Sequence, residues 1–178
     1  MNYTNTGQKV EPTTTEKTLE VALEYAKRGL SIIPIKKNAK KPTLRSWECF
    51  QQNAAPERKI RDWFTAGGKG IGIILGAVSG GLIVRDFDEM DEYEKWKQKK
   101  PELAELLPTV VTSQGMHVYC RSDSVKTRYL DGGELRADGA YVVAPPSIHR
   151  TGHLYKWVVP FGDEIPFLAL DETGFLDG

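Results

Sequence analysis

Ser79-Gly-Gly-Leu-Ile-Val-Arg-Asp-Phe-Asp88 is the stretch on which the fold turns. Leu82-Ile-Val84 is a short apolar run led in by a Ser-Gly-Gly turn, and that pattern reads as a buried strand. The strand stops in Arg85-Asp86-Phe87-Asp88. Residues i and i+2 of a strand point to the same side, so Asp86 and Asp88 aim at one place while Phe87 packs the other way. Two carboxylates this close repel, and one pKa rises unless a cation lies between them. A hard divalent ion such as Mg²⁺, which prefers oxygen ligands, meets that need. Two surface acids on a solvated strand end would carry the same letters, but the apolar run places this pair at the mouth of a core strand.

Upstream, residues 1–12 read as a disordered polar tail. Thr13 and Glu16 form a capping box for a helix with Leu19, Leu23, Ala26 and Leu30 at helical spacing, ending near Gly29. Ser31–Ile35 reads as an edge strand because it carries Pro34. A basic loop follows, with Lys36, Lys37, Lys40, Lys41 and Arg45. Pro56 opens a second helix with Ile60, Trp63 and Phe64 inward. Gly67 to Gly72 reads as a turn packed near the acids, running into an apolar stretch 71–75; it lacks both the Walker Lys-Ser/Thr and the Rossmann spacing.

Downstream, 89–100 reads as an amphipathic helix with Tyr93 and Trp96 inward, ended by Pro101. Strands are expected at 110–112 and 116–120, joined by Ser113-Gln-Gly115, and again at 134–136, 140–143 and 154–159. The order is mixed α and β, and the chemistry concentrates in 86–153. Residues 13–160 read as one domain of two packed lobes, and the acidic stretch 161–178 as an irregular tail or linker.

Three further features carry chemistry. Glu134-Leu-Arg136 places an acid on a strand near a turn, with Asp131 and Asp138 as competitors for a third-acid role. Asp138 precedes Gly139 and Asp131 precedes two glycines, both natural turn positions. Ser113-Gln-Gly-Met-His117 leads a hydroxyl and a glycine turn into an imidazole, a set able to hold phosphate. Lys40-Lys41-Pro42 with Trp47 could clamp phosphates and stack a base.

The chain has 178 residues, 24 basic and 24 acidic, for a formal net charge of zero. Zero charge argues against a passive nucleic-acid coat, which is usually basic. It suits an enzyme whose metal-holding acids offset its phosphate-holding bases. No apolar run of about 18 residues marks a membrane span and no apolar signal core opens the chain, so no membrane partner and a cytoplasmic location are expected. Two cysteines, Cys49 and Cys120, are too few for a disulfide framework or a four-cysteine zinc site. His149 and His153 have zinc-pair spacing, but no close cysteine pair accompanies them, and no zinc is expected.

Taken in order, these residues resemble the bifunctional primase-polymerase domain of the archaeo-eukaryotic primase superfamily, often found at the front of plasmid and phage replication proteins. The resemblance runs from about Ala22 to Trp157. It is carried by A-x-x-Y-A-x-x-G-x-x-x-x-P at Ala22 to Pro34, by Lys40-Lys-Pro…Trp47, by Ile71-Gly-Ile-x-x-Gly76 and by the acidic strand end. It continues in Ser113-Gln-Gly-Met-His117, in Glu134-Leu-Arg-Ala-Asp-Gly-Ala-Tyr-Val-Val-Ala-Pro-Pro-Ser147, and in His149, Gly152, Tyr155 and Trp157. Gln114 replaces a usual glycine, Gly70 stands where Asn is frequent, and Glu134 stands where Asp is commoner.

The resemblance implies an α+β fold: an N-terminal α/β unit, a sheet like that of the RNA-recognition fold, and an active site in the cleft between. It implies template-directed nucleotidyl transfer with two Mg²⁺ or Mn²⁺ ions held by Asp86, Asp88 and Glu134. Ser113, His117 and Arg136 would bind the nucleoside triphosphate, and Lys40, Lys41 and Trp47 the nucleic acid. Single-stranded DNA is the implied template, and a helicase domain or partner is an expected associate. Two rivals are a haloacid-dehalogenase-type phosphatase and a replication module that kept the fold without catalysis. The phosphatase class needs Thr or Val soon after the second Asp, where this chain has Glu89-Met90, and intact acids with His117 oppose the inert module.

Overall fold

The computed structural model describes residues 14–123 and 125–177; the tail 1–12 and the capping residue Thr13 lie outside them. The chain passes from α1 (Thr14–Lys27) to β1 (Ser31–Ile35), α2 (Glu57–Phe64), β2 (Gly70–Ile74) and β3 (Leu82–Phe87). Then follow α3 (Met90–Lys99), α4 (Pro101–Leu106), β4 (Thr109–Val111) and β5 (Met116–Arg121). The order closes with β6 (Arg128–Leu130), β7 (Gly133–Arg136), β8 (Tyr141–Ala144) and β9 (Lys156–Val159). The fold is mixed α+β. Its strands form two antiparallel sheets, one in the order β1-β2-β8 and the other β6-β7-β3-β5-β4-β9.

The N-terminal sheet is therefore completed by a late strand: β8 pairs with β2, Ile71 opposite Ala144. β1 lies at its edge, where Pro34 lacks an N–H and no outer strand needs one. The basic loop folds back on that edge, Lys36 N–H donating to Lys41 O and Thr43 N–H to Pro34 O, both at 2.9 Å. In the segment 67–72, expected as a turn near the acids, the second half (70–72) is already strand, and it belongs to the other sheet. Gly70 opens β2 opposite Ile35, and a side chain at Gly67 would meet Thr15 of α1. Pro101 ends α3 as expected and also opens α4, where its missing N–H costs nothing at the first turn.

β3 has both faces covered, and its alternation divides the core. Leu82 and Val84 join Ile32, Ile33, Ile71, Ile73 and Tyr119 in the cluster between the sheets. Ile83 and Phe87 join Tyr93, Trp96, Leu107, Val118, Leu135 and Phe175 beneath α3 and α4. Each Leu, Ile, Val or Phe side chain among them, fully buried, stabilises the fold by about 1.5–3 kcal/mol.

The irregular stretch 161–177 docks on this core. Arg121 N–H donates to Pro166 O at 2.8 Å, Leu168 N–H to Arg121 O at 2.9 Å, and Trp96 Nε1–H to Thr173 O at 3.0 Å. Phe175 is 2% exposed and its ring lies 5.7 Å from that of Trp96. Packing thus continues past residue 160. Phe175→Ala is expected to cost roughly 3–5 kcal/mol in urea unfolding, whereas a change near zero would mean that the stretch behaves as a linker. Among the described residues, no helix is long and apolar enough to cross a membrane.

Candidate active site

The antiparallel register builds the site. Asp86 on β3 stands opposite His117 on β5 and opposite Glu134 on β7, so three polar side chains form a row across adjacent strands, on the face that Leu82 and Val84 present to the inter-sheet core. Two glycines let the flanking strands close on this end of β3. A Cβ at Gly115 would lie 1.9 Å from Phe87 O, and one at Gly133 would lie 1.9 Å from Asp86 O. Gly133 also has φ +144°, which side-chain-bearing residues rarely adopt.

Asp86 is 7% exposed, and both of its oxygens are engaged. His117 Nε2 lies 3.3 Å from Oδ1, and Arg136 Nε donates to Oδ2 at 2.9 Å. Arg136 Nη2 also reaches Glu134 Oε2 at 3.0 Å, so one guanidinium touches two carboxylates. Burial pushes the Asp86 pKa up, but the charge and hydrogen bond of His117, then Arg136 and Lys40, outweigh burial and bring it down to about 2. Between Asp86 and Glu134 the cation is supplied here by the protein itself, as the Arg136 guanidinium. His117 Nδ1 is buried with no hydrogen-bond partner, an orphan of the kind a bound ligand satisfies.

Arg85 serves the opposite face. It is 4% exposed and lies over the Phe87 ring at 4.4 Å. It donates to Asp86 O at 2.9 Å and to Asp131 O at 2.7 Å, fastening the β6–β7 turn to the acid-bearing strand. Its place beside the acids in sequence is therefore a backbone anchor, a role that strand alternation alone does not reveal.

Lys40, Trp47, Asp86, His117, Arg136 and Tyr155, with parts of β8, line a cavity of about 170 Å³. Residues from both sheets and from the basic loop thus meet there. Trp47 stands edge-on to Tyr141, whose hydroxyl donates to Lys40 O at 2.8 Å. Lys40 also lines an adjacent open groove of about 550 Å³ with Ser113, Gln114, His149 and Arg150. Ser113 and His117 therefore border different hollows joined at Lys40. The turn at 112–115 is organised by Thr112 rather than Ser113: its hydroxyl accepts from Gly115 N–H at 3.0 Å. Lys41 is exposed and lines neither hollow.

Asp88 falls one residue beyond β3 and is exposed, its N–H donating to Gly132 O at 2.8 Å. Among the described residues, no group of three His, Cys, Asp or Glu side chains is placed to hold one ion. Of the three acids considered for the third role, Glu134 is the one paired with Asp86. Asp138 Oδ1 accepts from Ala77 N–H at 2.9 Å, and Asp131 lies in the β6–β7 turn. His149 and His153 are tied across a turn, His149 N–H donating to His153 O at 2.7 Å.

Among curated proteins, none matches this sequence significantly. The family model described as bifunctional DNA primase/polymerase, N-terminal, matches residues 22–169, a span that includes both sheets and every residue lining the cavity. The chain belongs to this Prim-Pol family, and it is a nucleotidyltransferase of the DNA primase/polymerase kind.

Proposed function

We propose that this domain extends or starts DNA chains on a single-stranded template with two divalent ions, in plasmid, phage or mobile-element replication in the cytoplasm. The observation that carries the reading is the row His117–Asp86–Glu134, set by strand register at a cavity that also receives Lys40 and Arg136. On this reading the larger sheet plays the part of an RNA-recognition-like platform, with the active site in the cleft against the smaller one.

Asp86 and Glu134 fit a hard cation: both are carboxylates, and they already share a positive group. Asp88, exposed one residue past β3, would complete the set by turning its carboxylate toward them. The ions, as Mg²⁺ or Mn²⁺, would activate a 3′-hydroxyl and neutralise the departing pyrophosphate. The chain's own groups do the rest. His117, with its unpartnered Nδ1, and Arg136 face the nucleotide from the cavity, and Ser113 meets it from the groove. Lys40, common to both hollows, lies along the path of a triphosphate, and Trp47 offers a ring for a base. Lys41, exposed on the same loop, is left to the nucleic-acid backbone.

The test is incubation of the chain with single-stranded DNA, labelled nucleoside triphosphates and Mg²⁺ or Mn²⁺, with and without a primer. Template-directed incorporation that stops on chelation is the expected result. Incorporation indifferent to template sequence, or to chelation, would remove the reading.

A further inference from the structure

Arg136 is bonded to two of the three carboxylates assigned above to the ions, through Nε to Asp86 and Nη2 to Glu134. A guanidinium does not lose its proton in proteins, so it can release those oxygens only by moving. Its surroundings allow that. The side chain is 31% exposed and borders the cavity shared with Lys40 and His117. Arg85, on the neighbouring strand and the opposite face of the sheet, is the contrast: 4% exposed, packed on Phe87 and bonded to backbone carbonyls. One arginine is built to stay and the other to turn.

We propose that Arg136 is an exchangeable counter-cation that couples metal loading to nucleotide binding. The inference rests on the metal assignment made under Proposed function. A divalent ion arriving alone must displace a guanidinium from Asp86 Oδ2 and Glu134 Oε2 and leave that charge beside its own, so it binds weakly. A triphosphate gives the guanidinium an anionic partner that suits its forked donors, and the released oxygens pass to the ions. Ion and triphosphate then raise each other's affinity by one common factor.

The experiment measures Mn²⁺ binding to the full chain by electron paramagnetic resonance, without nucleotide or DNA. It also measures binding of a non-hydrolysable deoxynucleoside triphosphate with and without Mg²⁺. Arg136→Met is expected to tighten binding of Mn²⁺ alone by about tenfold and to shrink the Mg²⁺ effect on the analogue by a similar factor. Arg136→Lys keeps the charge but not the fork that spans both carboxylates, so its Mn²⁺ affinity is expected to fall between that of the parent and that of Arg136→Met. The proposal fails if Arg136→Met binds Mn²⁺ no more tightly, or if Arg136→Lys binds it as tightly as Arg136→Met does. Asp86→Asn separates the two levels: if it binds Mn²⁺ like the parent, the metal assignment itself falls, and the exchange with it.

Discussion

Asp86→Asn is expected to abolish nucleotide incorporation, a loss of about a thousandfold or more, because it removes a ligand from the ions that carry several kcal/mol of transition-state stabilisation. The same substitution reports on the fold. Sequence reasoning alone expects removal of one acid to relieve repulsion; the structure reverses that, since Asp86 is already paired with His117 and Arg136. Its folded pKa, brought down to about 2, lies below that of an ordinary aspartate, so the ionised form is favoured in the folded state. A depressed carboxylate contributes stability that is fully present above about pH 4 and is lost as the pH falls through about 2. Asp86→Asn should therefore cost on the order of 2 kcal/mol at pH 7 in the absence of divalent ions. The difference from the parent should shrink toward zero near pH 2. Urea unfolding across that range checks it, and a deficit independent of pH would mean that the ion pairs are not its source.

The parts legible in the sequence are those governed by neighbours along the chain. Leu82-Ile-Val84 before Asp86-Phe87-Asp88 announced a core strand, and the alternation correctly sent Phe87 away from Asp86. Helices α2 and α3 followed from Pro56 and from the spacing of Tyr93 and Trp96. What was not legible depends on pairing between distant segments. Nothing local in Tyr141–Ala144 says that it joins β2 rather than the sheet containing β7, its immediate predecessor. β6, three residues long and largely exposed, has no apolar pattern to betray it. The docking of Phe175 on Trp96 is likewise a long-range contact, invisible in an irregular acidic stretch. At the site, strand periodicity put Arg136 on the face of Glu134 but could not show that its guanidinium lies between two acids. Nor could it show that Ser113 opens on a different hollow from His117.

Glu134→Gln is expected to lower incorporation by roughly a hundredfold or more, because an amide oxygen is a weaker partner for a divalent ion than a carboxylate. It should leave triphosphate binding through His117 and Ser113 in place. The neighbouring acids make the comparison informative. Asp131 contributes its carbonyl to Arg85 through the backbone, which every residue type retains, so Asp131→Ala should alter both activity and stability little, within about 0.5 kcal/mol for the latter. Asp138 holds the Ala77 N–H through its side chain, so Asp138→Ala should cost about 1 kcal/mol of stability while incorporation persists. Three substitutions within eight residues of chain thus separate into a catalytic loss, a near-silent change and a structural loss. The division follows from which atom of each acid does the bonding: a carboxylate facing Asp86, a backbone carbonyl under Arg85, or a carboxylate turned toward a loop. If Asp131→Ala or Asp138→Ala abolished incorporation while Glu134→Gln did not, the third acid would lie elsewhere on the turn, and the pairing of Glu134 with Asp86 would be no more than a sheet contact.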